Sequence, residues 1–116
     1  MKDTIAYIET PKRKYPIVFN LNVMEEIQEQ YGSLDAWGEK TQGEKEPKIK
    51  DLKAGFLAMI NEGIDIENEN NNTSEPFVTD KQLGRIMTQV GIDTILMAIR
   101  DLTVKSTKSE DDGKNE

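Results

Sequence analysis

Side chains able to do chemistry are scarce in this chain. It has no histidine and no cysteine. That removes disulfides, thiolate nucleophiles, most zinc sites and the residue that usually serves as a general base near neutral pH. Serines and carboxylates remain, but no nucleophile has an evident base, and pairs such as Glu25–Glu26 read as ordinary helix surface. The expectation is a protein that is not an enzyme and carries no cofactor or metal.

Four stretches imitate binding motifs. "GEKTQGEKE" (38–46) echoes a phosphate loop, but Glu44 follows the second glycine where lysine is required, so a carboxylate would face phosphate. "DIENENNNTSEP" (65–76) has the oxygen density of a calcium loop. Its sixth position is Asn70 instead of glycine and its twelfth is Pro76 instead of glutamate, which predicts a solvated loop. "KRK" (12–14) is a short cationic run on a predicted turn, read as solvation. "TDKQLGRIMTQVGIDTILMAIRDL" (79–102) has the outline of a DNA-binding helix-turn-helix, two helical runs meeting at a glycine. A recognition helix must present donors to base edges and phosphates. The outer face of the second run instead carries Asp93, Thr94, Arg100 and Asp101, one cation between two carboxylates. Two packed helices explain it better.

Bulk properties agree. The 116 residues suit one domain, and 35% hydrophobic against 32% charged residues allow a modest core. A formal net charge of −7 disfavours phosphate backbones and anionic lipid, so neither nucleic acid nor membrane is an expected partner. "MKDTIAYIET" lacks the apolar run of a signal peptide, and no stretch approaches a membrane span. The cytosol is the expected location.

The elements follow from patterning. "TIAYIE" (4–9) and "YPIVF" (15–19), rich in β-formers, flank the turn "TPKRK" and predict a hairpin whose Tyr15, Ile17 and Phe19 face the helices. Pro16 cannot donate to a ladder, which puts the second strand at an edge or starts it there. Asn22 with Glu25 predicts a capped helix start, Val23, Met24, Ile27 and Tyr31 its apolar stripe, and Gly32 its end. Ser33 caps a short second helix with Leu34 and Trp37, and a polar loop closes at Pro47. "KIKDLKAGFLAMINEG" (48–63) is amphipathic, with Ile49, Leu52, Phe56, Met59 and Ile60 on one face and Gly63 as its stop. "IDIENENNNTSEP" reads as exposed loop. Thr79 and Gln82 form a capping box and Val78 can staple Leu83, opening a helix to about Gln89 that Gly91 breaks. A last helix runs from about Ile92 to Val104, burying Ile92, Ile95, Leu96, Ile99 and Leu102. The result is a mainly helical α+β fold, a hairpin packed on about five helices over residues 1–105. The polar tail 106–116 has no apolar residue and is expected to be disordered.

Met97 and Val104 lie seven residues apart, off the main apolar face of the last helix. They form a minor stripe for a partner or a second copy of the chain, unless a neighbouring helix covers them. Methionines 24, 59, 87 and 97 suit adaptable binding surfaces, though in small cores methionine more often fills gaps.

Several runs are similar to a known family. "KYPIVFNLNVMEEIQEQYGSLDAWGE", "MINEGIDIENEN" and "PFVTDKQLGRIMTQVG" resemble the small tail assembly chaperones of siphophages and prophages of Gram-positive bacteria. The likeness covers residues 15–104 in patterned runs, with no short motif from which a functional residue could be carried over. It implies a host-cytoplasmic factor, not part of the finished virion. Such a factor binds the long helical tape measure protein non-covalently and keeps it soluble while the tail tube polymerises. The tail tube protein is a second implied partner. The rival readings are a structural head–tail connector or tail-completion protein and a small DNA-binding regulator.

Overall fold

The computed structural model describes residues 5–114, with side chains from 5 to 104. A two-stranded antiparallel hairpin is followed by five helices. β1 (Ile5–Glu9) pairs with β2 (Lys14–Val18) in a register that sets Ile5 against Val18 and Glu9 against Lys14. Thr10 closes the turn: its backbone N–H and its hydroxyl both donate to the Arg13 carbonyl. Arg13 stacks 4.5 Å over the Tyr15 ring and pairs with Glu75, and Lys14 pairs with Glu9 at 3.8 Å, so two of the three cations of the 12–14 run are engaged within the chain.

Strand β2 is more enclosed than its alternation predicts. Ile17 and Phe19 are buried as expected, but so are Pro16 and Val18 on the other face. The cause is the long third helix, which crosses the strand at backbone distance. A Cβ at Gly63 would lie 2.6 Å from the Pro16 carbonyl oxygen. Gly63 is therefore a crossing point within a helix, where the sequence pattern placed a helix end.

Helix α1 (Leu21–Tyr31) starts two residues earlier than expected. Its N-cap is Asn20, whose side-chain oxygen accepts from the Val23 N–H, and Glu25 has no part in the cap. Asn22 instead donates to Glu62, as does the Asn20 amide, each at 2.8 Å. Ser33 caps α2 (Leu34–Gln42) through the Ala36 N–H, as predicted.

Helix α3 spans Ile49–Asn71, 23 residues, and buries Leu52, Phe56, Met59, Ile60 and Ile64. It continues through "IDIENEN", which the sequence assigns to a loop. Ile64 is buried and Ile66 packs against the core, so the apolar stripe persists beyond Gly63. The helix ends at Asn72, which adopts a left-handed conformation with φ 56°. Ile49, predicted to be core, is 53% exposed. It is the first helical residue of α3.

The asparagines of α3 then tie down the return segment. Asn61 accepts from the Val78 N–H and donates to its carbonyl, and Asn68 does the same with Glu75. Val78 and Leu83 are both buried, as a hydrophobic staple requires. Helix α4 (Asp80–Val90) opens with the predicted capping box between Thr79 and Gln82. Gly91, at φ 91°, breaks it in a conformation that side-chain-bearing residues rarely adopt.

Helix α5 carries the bounds Ile92–Lys114, so its backbone runs past the apolar periodicity that predicts it. Side chains beyond 104, and with them the disorder expected of 106–116, lie outside the described residues. Ile95, Ile99 and Leu102 are buried, Leu96 is partly so, and Ile92 is displaced outward at 36% exposure.

Three helices meet at Asp51. Its carboxylate, almost fully buried, accepts from the Tyr31 hydroxyl at 2.7 Å, and its carbonyl accepts from the Trp37 indole at 3.0 Å. Burial pushes the Tyr31 phenol up to about 12, helped by the hydrogen bond to Asp51 and its negative charge.

Candidate partner-binding surfaces

The imitated motifs dissolve into ordinary structure. "GEKTQGEKE" is the last part of α2 and the loop after it, with the Thr41 hydroxyl donating to the Trp37 carbonyl. The acidic run 65–76 is mostly helix, and no group of three acidic or imidazole side chains placed to hold a metal occurs among the described residues. Asp93, Thr94, Arg100 and Asp101 are all exposed on α5, as the argument against a recognition helix requires. No helix among the described residues is long and apolar enough to cross a membrane.

Exposed apolar side chains on helices are what remain. Met97 is 62% exposed and Val104 50%, so no neighbouring helix covers either of them. They share one side of α5, but Arg100 and Asp101 stand between them, which makes an interrupted stripe. The other helical methionines divide differently. Met59 and Met87 are core, and Met24 packs against it.

A second surface was not visible in the sequence. Where α3 begins, its first turns, α4 and the start of α5 enclose an open groove of about 680 Å³. Ile49 and Ile92 line it, with Met87 from the core and the cations Lys53, Lys81 and Arg85. No carboxylate among the described residues lines it. Lys53 bonds Asp80 at 2.9 Å, whereas Lys81 and Arg85 make no ion pair among the described residues. The sequence pattern assigned both isoleucines to the core. The cue was available in the cations Lys48, Lys50 and Lys53 at one helix start and Lys81 and Arg85 on another, clustered in an acidic chain.

Farther along α3 lies a smaller groove of opposite sign, about 280 Å³, lined by Glu26, Glu62, Asp65 and the exposed Phe77. Beyond it the Tyr7 hydroxyl donates to Glu67, a bond that raises the Tyr7 pKa. Comparison with known protein families, curated proteins and solved structures finds no match.

Proposed function

We propose that this chain is a phage tail assembly chaperone that binds the tape measure protein non-covalently in the host cytoplasm. The resemblance of residues 15–104 suggests the reading. The observation that carries it is large apolar side chains held open to solvent on helices, Met97 and Val104 on α5 together with Ile49 at the start of α3. A holdase needs such surface to cover apolar segments of a client, and it needs net charge to stay soluble while doing so. The net charge of −7 meets the second need.

Co-expression tests this reading. The tape measure protein encoded beside this chain should gain soluble yield when both are made together. No gain against that cognate partner would sink the proposal. Detection of the chain in purified particles would replace it with a structural virion component.

A further inference from the structure

We infer that the groove between α3, α4 and the start of α5 docks an acidic amphipathic helix of the partner. Apolar residues of that helix meet Ile49 and Ile92, and its carboxylates meet Lys81 and Arg85. The partner's identity rests on the chaperone reading, in which the segment belongs to the long helical tape measure chain. The chemistry it must carry rests on the groove alone.

Charge is the first argument. The chain has 22 acidic residues against 15 basic ones, yet among the described residues this groove is lined by three cations, of which Lys53 pairs with Asp80, and by no carboxylate. Lys81 and Arg85 are four apart on α4, and like charges at that spacing repel on a helix. With no carboxylate among the described residues paired to either, that repulsion is relieved when an anionic partner lies beside them.

Apolar content is the second argument, and it excludes a small anion as the intended occupant. Exposed isoleucines gain nothing from solvent, and β-branched residues are not favoured helix formers. Two of them beside a cationic row match a helix whose apolar stripe is flanked by glutamate or aspartate.

The test uses two synthetic helical peptides with the same apolar stripe, one flanked by glutamates and the other by lysines. Calorimetric titration into the full chain should show the glutamate peptide binding roughly tenfold or more tightly than its lysine twin. Lys81→Glu with Arg85→Glu should abolish that preference. If this variant does not fold, Lys81→Gln with Arg85→Gln removes the charge without reversing it and should weaken glutamate-peptide binding by a similar factor. Equal binding of the two peptides, no binding of the glutamate peptide, or binding unchanged in the glutamine variant would each overturn the inference. The two proposals fail separately. Rescue of the tape measure protein that survives Lys81→Gln with Arg85→Gln leaves the chaperone standing and removes the groove. Charge-selective peptide binding without rescue does the reverse.

Discussion

Helices α3 and α5 are each 23 residues long, yet they relate to the rest of the chain in opposite ways. α3 is enclosed. It crosses β2 at backbone contact, takes the Trp37 indole and Tyr31 hydroxyl at one end, and holds the return segment with asparagine side chains. α5, over its described side chains, docks through Ile95, Ile99 and Leu102 and leaves its other sides to water. Enclosure makes α3 intolerant of volume change. One-sided docking gives α5 surface that can change without cost to the fold, which is what a binding surface requires.

Phe56→Ala should have the largest effect. It empties a fully buried site on α3, and urea unfolding should show a loss of roughly 3–5 kcal/mol. A negligible loss would break the contrast at its centre. Gly63→Ala should follow, at about 1–3 kcal/mol, because the added methyl meets the Pro16 backbone, which cannot swing aside as a side chain can. If that variant were stabilised through helix propensity, the close crossing would be wrong.

Thr79→Ala removes one half of the capping box at the entry to α4 and should cost about 1 kcal/mol in the same measurement. A further effect should be confined to alkaline solution. The folded chain holds the Tyr31 proton more tightly than the unfolded one, with a pKa of about 12 against 10.0. Stability from this phenol is thus complete below pH 10.0 and is lost as pH rises towards about 12. Tyr31→Phe should flatten that decline relative to wild type; parallel pH profiles would remove Tyr31 from the account. Least of all, Met97→Asp with Val104→Asp should leave the melting midpoint almost unmoved, within about 0.5 kcal/mol. The same double variant should abolish tape measure rescue if the α5 stripe takes part. Unfolding would show that α5 is as enclosed as α3.

Local signals were readable in the sequence where one residue type dictates one geometry. Ser33, the Thr79–Gln82 box and the Gly91 break all stand where the pattern puts them. Readings failed where a distant element decides. Asn20 and Asn22 are equally good caps in isolation, and burial of Phe19 beside Asn20 selects between them. Gly63 looks like a stop until β2 is placed against it. The polar run after it looks like loop because its helix is sustained by packing of Ile64 and Ile66 and by hydrogen bonds from Tyr7 and Glu75, partners dozens of residues away or across a turn. Of the surfaces, Met97 and Val104 follow from helical periodicity. The groove does not, because Ile49 and Ile92 look like core residues until helix packing leaves both at its rim.

The segregation of charge has a kinetic meaning. Beyond about 10 Å in 0.1 M salt the groove's cations are screened, and what an approaching acidic chain meets at longer range is the net −7 of the whole molecule. Encounter is therefore slowed by the same composition that keeps the protein dispersed, and attraction takes over only near contact. Added salt should quicken association by screening the global repulsion, and quicken dissociation by weakening the local pairs. The local pairs carry the charge selectivity, so the faster association offsets only part of their loss in the equilibrium constant. A client bound this way would exchange faster in stronger salt and be held less tightly.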